Sequence, residues 1–226
     1  MIPKNIHLVF LNKEEEYPSV FSNCIQRIEE LHCEWNINVY NKDDAQNILE
    51  ENLPQYLSAY NQFKYDVQRA DFLRLALVYI YGGFYMDMDI MCLKPLDKLL
   101  HNQIVLAEEK TISVEEQTAL GLHNRLRIAN YMFGGESGQE FWLLAIKRFA
   151  ERANTPILSQ QDIVDITGPG LLTDLYHEAK DSYPEITLLE NKTKRCLQPY
   201  HNAISCHFGD YAAHLHTGTW RKTVNK

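Results

Sequence analysis

The chain has 226 residues, of which 45% are hydrophobic and 23% are charged, and its formal net charge at pH 7 is −8. This composition is typical of a globular protein with one sizeable core. The acidic balance argues against nucleic acid as the main ligand, because neutralising phosphates requires a basic face.

Predicted strands and helices alternate along the chain. Short apolar runs predict strands at residues 6–11, 37–40, 84–86, 103–107, 130–133 and 186–189. Helical spacing of apolar residues predicts helices at residues 19–32, 43–52, 55–63, 66–81, 141–150 and 167–179. Segment 108–122 has little pattern and is predicted to be a loop. The alternation indicates a single α/β domain, residues 1–226, with a mixed, mainly parallel sheet.

The N-terminal segment, the apolar runs and the cysteines indicate the cellular compartment of the protein. Segment 1–10 lacks the apolar stretch and the cleavage site of a secretory signal. The longest apolar run, 75–81, is far below the roughly 20 residues that span a bilayer. Five cysteines without a C-x-x-C pair indicate reduced thiols, although their spacing leaves a Cys196–Cys206 bridge open. We expect a cytoplasmic protein with at most peripheral association at the inner face of the cell membrane.

Two aspartates follow the predicted strand at 84–86, in the stretch YGGFYMDMD. Asp87 and Asp89 are two residues apart, so their side chains share a face or converge in the turn. Adjacent carboxylates repel each other unless a cation lies between them, and Mg²⁺ or Mn²⁺ shared with substrate phosphates is the usual partner. Ligands of α/β sheets bind at the carboxyl ends of the strands, where this pair falls. The alternative is two solvated turn residues.

The predicted helix at 66–81 carries two charged residues beside its apolar stripe. Asp71 and Arg74 are three residues apart and are therefore neighbours on one helix face. Burying them is costly unless they are paired or used in a site. A structural ion pair and a functional pair both remain open on this pattern.

The block from Arg69 to Asp89, RADFLRLALVYIYGGFYMDMD, resembles the DXD-containing glycosyltransferases (family 32-like) of capsular polysaccharide and lipopolysaccharide synthesis. It is also similar to the yeast initiating mannosyltransferase and, distantly, to the clostridial glucosylating toxins. The opening IPKNIHLVF and the ending HLHTGTW are similar to the first strand and the C-terminal motif of that family. The resemblance implies a GT-A, Rossmann-like fold, a nucleotide-sugar donor, a divalent metal (commonly Mn²⁺, or Mg²⁺) and retention of anomeric configuration.

The resemblance also implies roles for residues of the central block. Asp89 would be a direct metal ligand, and Asp87 and Tyr85 would lie near the metal and the ribose of the donor. Asp71 and Arg74 would bind the sugar and phosphate of the donor.

Residues outside that block complete the implied site. Phe10, where the family usually has Trp, would stack on the nucleotide base, and Asn130 would reach the sugar. His7 is either a neighbour of the nucleotide or a packed strand residue. Further departures, Leu11-Asn12 for Gly-Gly and Ala70 for Ser, leave the base and the donor sugar open.

The C-terminal motif contributes four candidates. His214 matches the family histidine near the metal or diphosphate, and His216 is the alternative ligand. Thr219, which replaces a Ser, and Trp220 would close over the phosphates.

These inferences predict a metal-dependent, retaining glycosyltransferase. It would move a hexose from a nucleotide-diphosphate sugar, a UDP-sugar being favoured, to a glycan or lipid-linked saccharide in surface polysaccharide synthesis. The predicted catalytic residues are Asp71, Arg74, Asp89 and Asn130. Because no lone carboxylate is evident as a nucleophile, front-side attack guided by the leaving phosphate is favoured. Alternatives are a toxin-like effector that glycosylates a protein, a nucleotide-sugar hydrolase or nucleotidyltransferase, and a binding module without turnover.

Overall fold

A large mixed sheet organises the part of the chain described by this computed structural model, residues 1–11, 17–192 and 206–221. Its seven described strands are β1 (Asn5–Val9), β2 (Asn36–Tyr40), β3 (Gly83–Met86), β5 (Ile104–Thr111), β6 (Leu126–Ile128), β7 (Met132–Gly135) and β8 (Ile186–Leu189). A smaller sheet contains β4 (Ile90–Cys92), β9 (Cys206–Phe208) and β10 (Ala212–His214).

The large sheet has the strand order β2-β1-β3-β7-β5-β6, and β8 pairs with β5. β1 is parallel to β2 and β3, whereas β7 is antiparallel to both β3 and β5. β8 is parallel to β5, and β6 is antiparallel to it. Five of these strands therefore point one way, and β6 and β7 point the other way, which confirms the predicted mixed, mainly parallel sheet.

Helices cover both faces of the large sheet. They are α1 (Ser19–Leu31), α2 (Lys42–Asn52), α3 (Pro54–Gln62), α4 (Asp66–Tyr81), α5 (Val114–Ala119), α6 (Glu140–Glu151), α7 (Gln160–Ile166) and α8 (Pro169–Ala179). Side chains alternate along the strands, so Phe84 and Met86 join the core on the α1 side and Tyr85 joins the core on the α4 side. Among the described residues, no helix combines the length and the apolar character needed to cross a membrane.

The strongest predicted helix has the predicted bounds, Asp66–Tyr81. Its buried residues lie all around the axis, which is typical of a helix packed on several sides. It stops at Gly82, and Gly83 opens β3 with φ +107°, where a Cβ would lie 2.7 Å from the Asn5 Cβ. Only glycine fits this close approach, so the Gly-Gly pair directs the chain from α4 into the centre of the sheet.

Several predicted bounds differ from the structure. The predicted loop at 108–122 contains the end of β5 and the helix α5, because pairing with β6 extends the strand to Thr111 and the Ser113 side chain caps the helix. The predicted helix at 167–179 begins two residues later, at Pro169, and the preceding helix α7 was not predicted. The strands β4, β6, β9 and β10 have three residues each and were not predicted. Cys196 lies outside the described residues.

Candidate active site

The aspartate pair lies in the turn between β3 and β4. The Asp87 N–H donates to the Tyr131 carbonyl at 2.8 Å, and the Ile90 N–H donates to the Asp87 carbonyl at 3.1 Å. The main chain is therefore fixed on both sides of the pair, and both carboxylates project from the carboxyl end of β3.

Asp87 is held by α4 and β3. The Tyr85 hydroxyl donates to Asp87 Oδ1, and Arg74 Nη2 lies 3.3 Å from the same oxygen. The guanidinium of Arg74 also lies over the Tyr85 ring, 4.6 Å from its centroid. Burial raises the pKa of Asp87 above its ordinary value, although Arg74 opposes that shift.

Asp71, Arg74 and Asn130 form one hydrogen-bonded group. Arg74 Nη2 lies 3.0 Å from Asp71 Oδ1, and Arg74 Nη1 donates to the Asn130 carbonyl at 2.6 Å. The Asn130 side-chain amide donates to Asp71 Oδ1 at 3.2 Å. Asp71 is only 4% exposed, and burial raises its pKa to about 7. The prediction that Asp71 and Arg74 are neighbours on one face of α4 is confirmed. Through Arg74 this pair also contacts Asp87.

Asp89 is bound by the C-terminal segment. The Thr217 N–H and hydroxyl both donate to Asp89 Oδ2 at 2.8 Å, and His214 Nε2 lies 3.1 Å from Oδ1. Burial alone would raise the pKa of Asp89, but these hydrogen bonds lower it well below its ordinary value. Burial alone would lower the pKa of His214, but Asp89 raises it.

Three side chains form a group that fits a divalent cation. One ligand atom each from Asp87, Asp89 and His214 lie within 4.8 Å of one another. Two hard carboxylate oxygens and an imidazole nitrogen suit Mn²⁺, and the carboxylates also suit Mg²⁺. His216 is not part of this group, although its ring lies 4.0 Å from that of His214.

A cavity of about 330 Å³ opens beside this group. Its lining includes most of the predicted site residues: Asp71, Arg74, Asp87, Asn130, His214, His216 and Trp220. The lining also includes the charged residues Glu109, Arg127 and Asp165 and the apolar residues Ile112, Leu122 and Ile163. The cavity thus joins the cation group to a charged wall contributed by β5, β6 and α7.

Other predicted residues lie outside the lining of this cavity. Both ring nitrogens of His7 are used within the protein, Nε2 at 2.8 Å from the Gly82 carbonyl and Nδ1 at 3.0 Å from the Tyr40 hydroxyl. Burial lowers the pKa of His7 to about 4, so this residue matches the packed-strand alternative. Phe10 makes an edge contact with Tyr17 at 5.0 Å. Thr219 is exposed. Donor contacts of these residues stay predictions.

Residues 18–106 match the model of the glycosyltransferase sugar-binding region containing a DXD motif. The matched region includes α4, β3 and both aspartates of the cation group. Over these residues the chain is therefore similar to the DXD-containing glycosyltransferases.

Curated relatives carry related names. The chain is 26% identical over 199 residues to the mannosyl phosphorylinositol ceramide synthase SUR1 of Saccharomyces cerevisiae, covering 88% of this chain and 47% of that protein. It is 26% identical over 184 residues to the inositol phosphoceramide mannosyltransferase 2 of Schizosaccharomyces pombe, covering 81% of this chain and 49% of that protein. The chain therefore spans about half the length of these relatives.

A solved structure shows the same fold. The PaToxG glycosyltransferase superposes with a TM-score of 0.57 at 15% identity, over 80% of this chain and 72% of that one. This likeness confirms the predicted glycosyltransferase fold of the GT-A type.

Sequence reasoning missed four residues around the DXD pair. Thr217 bonds to Asp89, the Tyr131 carbonyl accepts from the Asp87 N–H in the turn, and Glu109 and Arg127 line the cavity. A hydroxyl residue directly after the two histidines was the available signal for Thr217. For Glu109 and Arg127 no local signal existed, because their placement depends on how β5 pairs with β6.

Proposed function

We propose that this chain transfers a hexose from a nucleotide-diphosphate sugar to a glycan or lipid-linked acceptor. The observation that carries this proposal is the convergence of Asp87, Asp89 and His214, within 4.8 Å, at the cavity of a DXD-containing region. The chain spans only about half the length of its curated relatives, so the substrates of the complete protein are part of this proposal.

A divalent cation, Mn²⁺ or Mg²⁺, fits the donor set of this site. Asp87, Asp89 and His214 would hold it, with Thr217 orienting the Asp89 carboxylate. When bound, the cation would neutralise the charge that develops on a diphosphate leaving group.

The remaining residues supply binding and orientation. Arg74 lies between Asp71 and Asp87 and raises the positive potential where a donor phosphate would lie. Asp71 and the Asn130 amide face the same cavity and can accept and donate hydrogen bonds to sugar hydroxyls. Trp220 and Arg221 border the cavity and can cover the diphosphate.

Retention of configuration is part of the proposal. Two aspartates of the site are already occupied, Asp71 by Arg74 and Asn130, and Asp87 by Tyr85 and Arg74. This arrangement favours front-side attack over a covalent intermediate on either of these aspartates.

The names of the relatives refine the substrates. Inositol phosphoceramide mannosyltransferases support mannose as the hexose and a phosphoinositol lipid as the acceptor. The competing possibilities are a UDP-sugar as the donor and, as the acceptor, a surface polysaccharide or a protein.

Calorimetric titration tests the donor site directly. GDP-mannose, UDP-glucose and UDP-galactose are titrated with Mn²⁺ and again with EDTA. We expect one nucleotide sugar to bind only with the metal, and failure of all three would contradict the proposal. Product analysis with phosphatidylinositol vesicles, a mannan oligosaccharide or no acceptor then separates lipid transfer, glycan transfer and hydrolysis.

A further inference from the structure

A β-bulge points the Glu109 side chain at the cavity. In the pairing of β5 with β6, Glu108 lies opposite Ile128 and Lys110 lies opposite Arg127. Two steps along β5 therefore match one step along β6, and Glu109 is the extra residue. Bulges of this kind redirect a side chain and are frequent beside active sites. Glu109 lines the same cavity as Asp71, Asp87 and His214.

The neighbours of Glu109 on the strand have structural partners. Glu108 accepts a hydrogen bond from the Thr111 hydroxyl at 2.7 Å, and Lys110 pairs with Glu116 at 3.2 Å. At Glu109 the main-chain carbonyl accepts from the Asn191 amide at 2.5 Å. Among the described residues, no donor is bonded to the Glu109 carboxylate.

The other carboxylates that line the cavity are occupied. Asp71 and Asp87 share Arg74, and Asp87 also accepts from the Tyr85 hydroxyl. Asp165 lies 3.4 Å from Arg127 Nη2 and accepts from the Gln161 side chain at 2.8 Å. Within the described part of the chain, Glu109 is therefore the cavity-lining carboxylate without a bonded donor, and it is available to a ligand.

The charges around Glu109 suit a group that receives a proton. Burial raises the pKa of Glu109, while the nearby cations Lys110, Arg127 and His214 oppose that shift and favour the ionised form. Glu109 and Arg127, from the paired strands β5 and β6, line the cavity together with Asp71 and Arg74. A hydroxyl compound that enters the cavity can hydrogen-bond to this carboxylate.

We propose that Glu109 is a further catalytic residue, which takes the proton of the acceptor hydroxyl during hexosyl transfer. This inference rests on the proposed function. As the acceptor oxygen forms its bond to the anomeric carbon, the O–H proton moves to the Glu109 carboxylate. The bond between the anomeric carbon and the phosphate oxygen breaks, and its electron pair leaves with the nucleoside diphosphate. Glu109 then returns the proton to solvent.

The decisive experiment compares Glu109→Gln with the wild type and with Glu108→Gln. Glu108 is the adjacent carboxylate on the same strand and does not line the cavity. Turnover of GDP-mannose and of UDP-glucose is measured with Mn²⁺ and phosphatidylinositol vesicles, and again with water as the acceptor. Donor Kd is measured by calorimetry.

We expect Glu109→Gln to lower kcat about 100-fold or more with both acceptors, because a positioned base contributes about that much. Donor Kd and Tm should stay at wild-type values, and Glu108→Gln should change kcat by less than about twofold. A Glu109→Gln variant with kcat within about threefold of wild type would overturn the inference and leave the proposed function standing. If the wild-type protein binds a donor but shows no turnover with either acceptor, both the proposed function and the role of Glu109 would be overturned.

Discussion

His214 Nε2 lies 3.1 Å from Asp89 Oδ1, so a residue at the end of β10 meets the carboxylate in the turn after β3. The contact is made possible by the smaller sheet, where His214 pairs with Ile90, the residue next to Asp89. One side of the candidate cation site thus comes from the matched DXD region and the other from the C-terminal segment.

Asp89→Asn tests the cation site. The substitution keeps the shape of the side chain but removes the charged oxygen, so we expect Mn²⁺ affinity to fall by at least about 100-fold, more than the loss of an outer-shell partner. Titration followed by electron paramagnetic resonance of free Mn²⁺ measures the change. The control Asp97→Asn alters a half-exposed residue whose partner is Lys4 at 3.6 Å. Unchanged Mn²⁺ affinity in Asp89→Asn would remove Asp89 from the ligand set.

Thr217→Val and Thr219→Val separate the contact in the structure from the one implied by the family motif. Both threonines are exposed, but Thr217 Oγ1 donates to Asp89 Oδ2 at 2.8 Å, whereas among the described residues Thr219 has no hydrogen bond to the cation group. Because residues that orient a ligand are worth roughly 10–100-fold in metal affinity, Thr217→Val should weaken Mn²⁺ binding about tenfold. Thr219→Val should change it less than about twofold. The opposite order would contradict the role of Thr217 in orienting the Asp89 carboxylate.

The parts of this site that were predictable from sequence have strong local patterns. The helix at 66–81 combines apolar periodicity with a Gly-Gly stop, and its bounds match α4. Asp71 and Arg74 follow from helical spacing alone. Asp87 and Asp89 were placed correctly after β3 because an apolar run ends there.

The parts that were missed depend on contacts between distant segments. Thr217 reaches Asp89 only because β10 pairs with β4. Each of these strands has three residues, which is too short for an alternating apolar pattern to predict it. Glu109 faces the cavity because of a shift in register between β5 and β6, which no local propensity encodes.

Asp71→Asn tests how much the burial of the Asp71 carboxylate lowers the stability of the fold as the pH rises. The folded-state pKa of Asp71, about 7, exceeds the ordinary value of 3.8, so the folded protein keeps a proton that the unfolded chain releases. The corresponding stabilisation is complete below about pH 4 and is lost as the pH rises through 7. In EDTA, the Tm of Asp71→Asn minus that of wild type should therefore increase from pH 5 to pH 8.

The Asp97→Asn control of this experiment should show the same Tm difference at both pH values. A Tm difference for Asp71→Asn that is constant or falls between pH 5 and pH 8 would mean that Asp71 is ionised throughout, held by Arg74 at 3.0 Å. In that case the pair would act as a permanent ion pair of the fold.

Gly83→Ala tests how closely α4 and β3 are joined to the sheet. Gly83 has φ +107°, and a Cβ would lie 2.7 Å from the Asn5 Cβ, so alanine adds both backbone strain and a clash with β1. We expect a loss of about 3 kcal/mol in the free energy of unfolding, which corresponds to a Tm lower by roughly 6–12 °C for a chain of this size. Thermal unfolding followed by circular dichroism measures it.

The matched control for this prediction is Gly138→Ala. Gly138 also has a positive φ, +73°, but a Cβ there would have no neighbour within 4 Å, so alanine at this position adds backbone strain without a clash. That variant should lose only about 1 kcal/mol. Equal losses in the two variants would show that β1 yields to the new methyl group. A larger loss in Gly83→Ala, together with weaker Mn²⁺ binding, would show that the contact between Gly83 and Asn5 sets the position of Asp87 and Asp89.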